Sequence, residues 1–274
     1  MNAPLTPSQT RSRLNELGHH PRKKLGQNFL IDGNIVRKSL ELAGVQSGDT
    51  VIEVGPGLGT LTAALVVAGA EVYAVELDRT LTEGLRQQFG ERIHLLEGDA
   101  VDHPLAGYMA ESPQVTAAPC KVVANLPYAV TSPWMEAMLR GPLPECMVLM
   151  MQKEAADRLN ADVGSKHFSA ITIFLDGTYR SCERHRVARQ CFYPVPGVDS
   201  VLAVWRRREQ VVRYSAGLRE AIRHIFTMRR KQMQALVKQQ PLLEPWFQAE
   251  VEAGLSATAR PEEVPLSSWR KLGQ

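Results

Sequence analysis

A glycine-rich turn between a predicted strand and a predicted helix is the first segment of this sequence that could bind a ligand. Gly55, Gly57 and Gly59 follow the spacing G-x-G-x-G directly after the apolar run Thr50–Val54. Glycine permits a positive φ angle and lets the backbone approach a ligand closely. Glu76 stands twenty-one residues after Gly55, at the end of the next predicted strand. A carboxylate at that place can accept hydrogen bonds from both hydroxyls of a ribose, so the pattern predicts a site for a ribose-bearing ligand.

The glycine spacing and the charge of this predicted site distinguish between a dinucleotide and a cationic ligand. A dinucleotide site has the fingerprint G-x-G-x-x-G, which fails here because its last position is Thr60. A pyrophosphate also favours a basic site, whereas Glu53, Glu76 and Asp99 make this one acidic. Asp99 and Ala100 follow the third predicted strand, where the carboxylate can reach an adenine amine. Because an acidic site tolerates a cationic sulfonium, the spacing and the charge are typical of S-adenosylmethionine methyltransferases.

A second motif, Asn-Leu-Pro-Tyr, ends the fourth predicted strand and is expected to face the same crevice. The lone pair of the adenine N6 amine is delocalised into the ring, so methyl transfer needs two acceptors that hold the N–H bonds and aim the lone pair. The side-chain oxygen of Asn125 and the main-chain carbonyl of Leu126 can be these acceptors. Pro127 restricts the turn and has no competing N–H, and Tyr128 offers a ring for base stacking. We expect positioning to provide most of the catalysis.

Alternating strands and helices are predicted to bring these motifs together. The predicted strands are Thr50–Val54, Glu71–Glu76, Ile93–Leu96, Lys121–Asn125, Cys146–Met151, Ser169–Leu175 and Ser200–Trp205. The predicted helices in the same region are Asp32–Gly44, Leu58–Ala68, Thr80–Phe89, Ser132–Arg140 and Lys153–Asn160. This order predicts an α/β fold with a doubly wound, mostly parallel sheet. Ligands of such sheets bind outside the carboxyl ends of the strands, which is where the motifs fall.

Two domains are expected within the 274 residues. The first is a cofactor-binding methyltransferase domain over residues 1–206, of which residues 1–20 are polar and expected to be mobile. The second is a small helical domain over residues 207–274, with helical patterns at Ala216–Lys238, Leu242–Val251 and Leu266–Leu272.

Composition excludes several other classes of protein. The sequence has no run of eighteen apolar residues and no charged segment followed by an apolar one at its start, so we expect a cytoplasmic protein. It contains no C-x-x-C or H-E-x-x-H pattern, and no metal site is expected. We expect a monomer. The four cysteines are Cys120, Cys146, Cys182 and Cys191, and of these Cys120 and Cys146 are expected to be core thiols in a reducing compartment.

Basic residues are concentrated near both ends of the chain, although the net charge is only +3. Between Glu183 and Lys238 the basic residues are Arg184, Arg186, Arg189, Arg206, Arg207, Arg208, Arg213, Arg219, Arg223, Arg229, Arg230, Lys231 and Lys238. A second cluster is formed by Arg22, Lys23 and Lys24. This distribution favours a polyanionic partner, while a solvated protein face remains the alternative interpretation.

From about His19 to the C-terminus the sequence resembles the ribosomal RNA adenine dimethyltransferases. The motifs that carry the resemblance are Lys24–Leu30 (KLGQNFL), Glu53–Gly59 (EVGPGLG), Val75–Asp78 (VELD), Gly98–Ala100 (GDA), Asn125–Tyr128 (NLPY), Met151–Glu154 (MQKE), Phe192–Pro196 (FYPVP) with Val198–Ser200 (VDS), and Arg229–Lys231 (RRK). The resemblance implies a seven-stranded Rossmann-like class I methyltransferase domain with a small helical C-terminal domain. It also implies dimethylation of two adjacent adenosines in the 3′-terminal hairpin of small-subunit (16S) rRNA, late in subunit assembly.

The same resemblance implies three groups of site residues. The implied cofactor contacts are Gln27, Asn28, Leu30, Gly55, Gly57, Glu76, Leu77, Asp99, Ala100 and Asn125. The implied catalytic residues are Asn125, Leu126, Pro127, Tyr128 and Phe192, with Phe192 facing the target base across from Tyr128. In a fold of this family the two basic clusters could flank the crevice, so the predicted RNA contacts are Arg22, Lys23, Lys24, Arg229, Arg230 and Lys231, and the implied partners are the small-subunit rRNA and the immature small subunit.

Some positions depart from the family pattern, and two other functions stay open. The departures are Ala129–Ser132, Phe168–Ser169, Gly197 and Gln232, which leave the number of methyl groups per adenine open. An erythromycin-resistance type enzyme would methylate large-subunit rRNA, but it commonly has lysine where Leu58 stands and usually lacks the R-R-K motif. A non-catalytic assembly factor would be favoured by loss of Asn125 or Glu76, and both are present.

Overall fold

The structure, a computed structural model, describes residues 5–22, 25–109, 117–127 and 130–273. In these ranges the strands are β1 (Phe29–Leu30), β2 (Thr50–Val54), β3 (Glu71–Glu76), β4 (Ile93–Glu97), β5 (Lys121–Asn125), β6 (Cys146–Gln152), β7 (Tyr179–Val187), β8 (Phe192–Tyr193) and β9 (Ser200–Arg207). The helices are α1 (Pro7–Glu16), α2 (Gly33–Ala43), α3 (Thr60–Val67), α4 (Arg79–Phe89), α5 (Thr131–Met138), α6 (Lys153–Leu159), α7 (Ala170–Thr178), α8 (Ala216–Thr227), α9 (Met233–Val237), α10 (Glu244–Glu252) and α11 (Leu266–Leu272).

A seven-stranded sheet with the order β4-β3-β2-β5-β6-β9-β7 dominates the fold. Strands β2 to β6 pair in parallel, and β9 pairs antiparallel with β6. The predicted α/β fold with a seven-stranded sheet is confirmed. Because β2, β3 and β5 are parallel neighbours or next neighbours in the sheet, their carboxyl ends lie at one edge, and the predicted motifs follow those ends.

The chain divides into two compact units. The first consists of Met1–Ala155 and Cys182–Arg206, and the second of Ala156–Ser181 and Arg207–Gln274. The first contains most of the sheet and differs from the predicted range 1–206 because it lacks Ala156–Ser181. The second differs from the predicted range 207–274 because it also includes Ala156–Ser181. The reason is that α7 packs against α8 and α11, so this stretch joins the helical unit.

The prediction of a strand at Ser169–Leu175 is wrong, because this stretch forms most of the helix α7. The backbone N–H of Ser169 donates to the hydroxyl of Thr172 at 3.3 Å, in a capping box that begins the helix. Eight of its residues are buried, so no polar face interrupts the apolar run. A short, uniformly apolar run has no periodicity that separates a buried helix from a buried strand. The strand of this region is β7, whose residues from Arg180 to Arg186 are exposed.

Two further differences concern the ends of the chain. Within residues 1–20, which are expected to be mobile, Pro7–Glu16 forms α1, which is capped by Thr6 and packs Leu14 against Phe29, Leu58 and Leu81. The single predicted helix Ala216–Lys238 is two helices, α8 and α9, so the Arg-Arg-Lys motif lies in the turn between them. No helix within the described ranges is long and apolar enough to cross a membrane.

Candidate active site

A cavity lies at the carboxyl ends of β2, β3 and β5, and the segment before and including β1 forms part of its wall. Its lining includes every predicted cofactor residue: Gln27, Asn28, Leu30, Gly55, Gly57, Glu76, Leu77, Asp99, Ala100 and Asn125. The structure therefore brings together residues from five separate parts of the sequence. That arrangement is the predicted one for the cofactor site.

The glycine turn needs glycine for two reasons, its backbone conformation and its close packing. Gly55 and Gly57 have φ angles of 67° and 62°, a region that side chains disfavour. A Cβ atom on Gly55 would lie 3.3 Å from the Pro127 ring, and one on Gly57 would lie 3.0 Å from the ring of Phe29. The turn is thus packed directly against the Asn-Leu-Pro-Tyr motif on one side and against the N-terminal segment on the other.

Glu76 is held at the end of β3 by two backbone N–H groups, one from the glycine turn and one from the residue two positions after it. Its Oε2 accepts a hydrogen bond from the N–H of Gly57 at 3.1 Å, and its Oε1 accepts one from the N–H of Asp78 at 2.9 Å. The side chain is buried, and burial raises its pKa despite these hydrogen bonds. Each oxygen keeps a further lone pair, so the carboxylate can still accept hydrogen bonds from a ligand in the cavity.

Glu53 is buried, whereas the sequence indicates only that it is one of the acidic residues of the predicted site. Burial raises its pKa to about 8, with a further rise from the charge of Glu76, although the hydrogen bond from the Thr62 hydroxyl at 2.7 Å lowers it. A pKa of about 8 favours the protonated form of Glu53 at neutral pH, which gives the cavity less negative charge than the sequence indicates. A cation bound nearby would favour its ionised form.

Asn125, at the end of β5, has an orientation that suits the predicted acceptor role. Its Nδ2 donates a hydrogen bond to the backbone carbonyl of Asn28 at 3.1 Å. An amide that donates with its nitrogen keeps its oxygen as the acceptor, so Oδ1 is left for another partner. Leu126 is anchored by donation of its N–H to the carbonyl of Met150 at 2.9 Å, and both Leu126 and Pro127 line the cavity. Tyr128 lies outside the described residues.

Three other predicted cofactor residues differ in their contacts within the cavity lining: Asp99, Leu77 and Gln27. One oxygen of Asp99 accepts from the N–H of Val101 at 2.8 Å, and among the described residues its second oxygen has no partner. Leu77 is 51% exposed although it is a large apolar residue, so a planar ligand could pack on it. The side-chain amide of Gln27 is already bonded within the protein, to His19, the backbone of Arg22 and Asp78. We expect its role to be structural rather than a direct contact.

The structure places Phe192, which is predicted to face the target base, in the hydrophobic core. Phe192 is only 1% exposed and packs in the hydrophobic core with Leu30, Val187 and Leu202. It does not line the cavity. The family resemblance implies a base-facing role for Phe192, whereas β8 pairs with β1 so that Phe192 lies opposite Leu30, and both residues belong to the same core cluster.

In the part of the chain that the structure describes, some of the predicted RNA-contact residues make hydrogen bonds or ion pairs within the protein, and others do not. The guanidinium of Arg229 donates to the carbonyls of Lys166 and Ser165, at 2.6 and 3.1 Å, and lies 3.5 Å from Glu262. Arg230 and Lys231 are exposed and have no side-chain partner among the described residues. The side chain of Arg22 is 60% exposed and lies 3.6 Å from Asp78. Lys23 and Lys24 lie outside the described residues.

Sequence reasoning missed His19 and Asp78 as members of this site. Both are buried polar residues, 3% and 2% exposed, beside the cavity wall. Asp78 could have been found because it follows Glu76 by two residues and precedes a helical pattern, where a cap is expected. No such signal marks His19. Within the described ranges, no group of three or more histidine, cysteine, aspartate or glutamate residues could hold a metal ion.

The seven-stranded sheet, the glycine turn and the carboxylates at successive strand ends define a class I methyltransferase. The family described as "Ribosomal RNA adenine dimethylase" matches residues 18–252. The chain belongs to the ribosomal RNA adenine dimethylase family and is an rRNA-modifying methyltransferase.

Relatives agree with this assignment along nearly the whole chain. The chain is 51% identical to a protein of Opitutus terrae named "Ribosomal RNA small subunit methyltransferase A", over 98% of each chain. It is 37% identical to a protein of the same name from Protochlamydia amoebophila, over 97% of this chain and 95% of that one.

Two solved structures share the fold. A dimethyladenosine transferase from Plasmodium falciparum aligns with a TM-score of 0.71 and 25% identity, covering 89% of this chain and 95% of that chain. The 23S rRNA methyltransferase ErmE aligns with a TM-score of 0.65 and 25% identity, covering 89% of this chain and 98% of that chain.

Proposed function

We propose that this protein transfers methyl groups from S-adenosylmethionine to the N6 amines of two adjacent adenosines in the 3′-terminal hairpin of small-subunit rRNA, on the immature subunit. The observation that carries the proposal is the orientation of Asn125. Because its Nδ2 donates to the Asn28 carbonyl, its Oδ1 is available to accept from an amine at the cavity. An adenine N6 amine has the two N–H bonds that this oxygen and a main-chain carbonyl would hold.

The cavity residues fit the methyl donor part by part. Glu76 would accept the ribose hydroxyls, and the free oxygen of Asp99 would accept from the adenine amine while the ring packs on Leu77. Bound S-adenosylmethionine supplies a methyl group on a positively charged sulfur. Glu53 lies in the same lining, and its carboxyl would be stabilised in the ionised form by that positive charge.

Asn125 and the Leu126 carbonyl would hold the target amine so that its lone pair points along the line of attack. These two acceptors would hold the amine nitrogen in line with the methyl group that the bound donor would supply. The methylated amine is then strongly acidic and loses its proton readily, so no strong base is needed. Catalysis would rest on the geometry of these groups, for which misplacement of about 1 Å can cost roughly 100-fold in rate.

Small-subunit rRNA is favoured over large-subunit rRNA by the two relatives named for the small subunit. The glycine turn has Leu58 where the erythromycin-resistance type commonly has lysine. Arg230 and Lys231 are exposed and would contact the phosphate backbone of the RNA. Tyr128 would stack on the flipped adenine, a contact worth about 1–3 kcal/mol per base.

The test is incorporation of tritiated methyl groups from S-adenosylmethionine into small subunits taken from cells that lack this modification. The wild-type protein should place dimethyladenosine at two adjacent positions, detected by primer extension. Asn125→Ala should slow transfer by roughly 100-fold or more, since the amine loses an acceptor, while RNA binding is retained. Asn15→Ala, on the exposed face of α1, is the matched control and should have no effect.

Three outcomes would contradict the proposal. Wild-type transfer by Asn125→Ala would exclude the two-acceptor mechanism. Methylation of large subunits in preference to small ones would favour the erythromycin-resistance type. Tight binding to immature subunits without methyl incorporation by the wild-type protein would indicate an assembly factor.

A further inference from the structure

The N-terminal wall of the cavity is held by three side chains, His19, Gln27 and Asp78, which we call the Gln27 clasp. The Oε1 of Gln27 accepts from the backbone N–H of Arg22 at 2.8 Å and from Nε2 of His19 at 3.1 Å. The Nε2 of Gln27 donates to Oδ2 of Asp78 at 3.2 Å. Both His19 and Asp78 are almost fully buried, whereas Gln27 is partly exposed. The hydrogen bonds of the clasp use both the donor and the acceptor ends of the Gln27 amide.

Asp78 connects this clasp to the cofactor side of the cavity. Its Oδ1 caps α4 by accepting from the N–H of Thr80 at 3.1 Å, and its own N–H donates to Glu76 at 2.9 Å. The carboxylate is therefore rigidly attached to the turn that presents Glu76. Through Gln27, the N-terminal segment is fastened to that same turn, fifty-one residues away in sequence.

The residue after Gln27 contacts the catalytic side of the cavity. The carbonyl of Asn28 accepts the hydrogen bond from Nδ2 of Asn125 at 3.1 Å, across ninety-seven residues of sequence. Phe29, the next residue, is buried and pairs with Tyr193 in the small sheet of β1 and β8. The Asn28 carbonyl is thus held from both sides, by the clasp before it and by the strand pairing after it.

We infer that Gln27 and His19 are positioning residues for methyl transfer, because the Gln27 clasp holds the Asn28 carbonyl that orients the Asn125 amide. The inference rests on the proposed function of Asn125. If the carbonyl moves away, the amide can rotate by half a turn and present its NH₂ group to the target amine. Two sets of donors would then face each other, and the amine would lose its acceptor.

The hydrogen bond of His19 suggests a conservative substitution that keeps its donor group. Since the Gln27 carbonyl oxygen can only accept, Nε2 of His19 must carry the hydrogen. A glutamine side chain places an NH₂ group at a similar distance from the backbone as the Nε2 of histidine. His19→Gln should therefore preserve the donor, whereas His19→Leu removes it with a similar volume. The adjacent His20 is exposed and is the matched control position.

The first experiment measures single-turnover methyl transfer at saturating S-adenosylmethionine and saturating undermethylated small subunits, with cofactor affinity measured separately by calorimetry. Gln27→Ala and His19→Leu should slow the single-turnover rate by about 10- to 100-fold, a larger factor than their effect on the cofactor Kd. His19→Gln should restore the rate, and His20→Ala should leave it unchanged. Gln27→Asn, which keeps an amide but shortens it, provides a milder variant and should also slow transfer.

The inference is overturned if these variants raise the cofactor Kd while their single-turnover rate at saturation equals that of the wild type. The clasp would then only form the cavity wall. Failure of His19→Gln to restore the rate would also contradict the role of the His19 donor.

A second experiment places Gln27→Ala in the Asn125→Ala background. Because the clasp acts through Asn125, the double variant should be no slower than Asn125→Ala alone. Fully additive losses would overturn the inference. A wild-type rate for Asn125→Ala alone would instead contradict the proposed function, so the two failures can be told apart.

Discussion

The cofactor cavity and the Arg-Arg-Lys turn between α8 and α9 both carry charged side chains, but the two regions hold them differently. In the cavity, Glu76 and Glu53 are buried and accept hydrogen bonds from fixed protein groups. In the turn, Arg229 is bonded to backbone carbonyls, whereas Arg230 and Lys231 are exposed. Buried charges depend on their partners for both pKa and orientation, while exposed charges act on whatever approaches them.

This comparison shows that charged residues close together in the sequence can have different roles in the folded protein. Glu53 counts as an acid in the sequence, yet its burial favours the protonated form at neutral pH. Arg229 counts as an RNA contact, yet it connects two parts of its own unit through Ser165 and Glu262. Four sets of substitutions test the comparison.

The largest effect is expected from the pH dependence of stability at Glu53. Its pKa is about 8 in the folded protein and near 4.5 in the unfolded chain. Between these two pKa values the folded protein keeps the proton on Glu53, whereas the unfolded chain releases it. The contribution of protonated Glu53 to the free energy of unfolding is therefore fully present below pH 4.5 and is lost as the pH rises towards 8. The free energy of unfolding should fall by roughly 1.4 kcal/mol for each pH unit between these values.

Glu53→Gln lacks this titration and can still accept from Thr62. Urea unfolding at pH 5, 6, 7 and 8 should show the variant gaining stability relative to the wild type as pH rises. Glu83→Gln, on the exposed face of α4, is the control. Parallel curves for Glu53→Gln and the wild type would mean that Glu53 is ionised in the folded protein.

The second largest effect is expected at Glu76, in binding rather than stability. Glu76→Ala removes hydrogen bonds to a charged acceptor, so S-adenosylmethionine binding should weaken by about 1.5–3 kcal/mol in calorimetry. RNA affinity should not change. Glu97→Ala, at the exposed end of the neighbouring strand β4, is the matched control. Unchanged cofactor affinity in Glu76→Ala would remove Glu76 from the site.

A smaller effect is expected when Arg229 is replaced, and it should appear as lower stability. Arg229→Ala removes the donor to the partly exposed carbonyls of Ser165 and Lys166, at a cost of about 0.5–1.5 kcal/mol in the free energy of unfolding. Arg230→Ala should unfold like the wild type because its side chain is exposed. Equal stability of the two variants would show that the bonds of Arg229 contribute nothing measurable.

The smallest effect is expected from the exposed pair Arg230 and Lys231, in RNA binding alone. Replacing both with alanine should weaken rRNA binding and flatten its log–log salt dependence by about 0.7–0.9 for each phosphate that these side chains neutralise. Cofactor affinity and thermal stability should be unaffected. A salt dependence identical to that of the wild type would mean that these side chains only solvate the turn.

The sequence by itself determined the class of fold and the composition of the cofactor site. Strand and helix periodicities placed six of the seven predicted strands, and the spacing of Gly55, Gly57 and Glu76 predicted residues that do line one cavity. These features are readable because they depend on local chemistry, namely glycine at positive φ and carboxylates at strand ends. The apolar run at Ser169–Leu175 was misread because burial on all sides removes the periodicity.

Only the tertiary structure decided which side chains are free to act. The burial of Phe192 follows from the pairing of β8 with β1, two strands that are far apart in the sequence. The orientation of Asn125 depends on a carbonyl ninety-seven residues away. Neither can be read from composition or spacing, because hydrogen-bond partners and burial are set by which distant segments pack together.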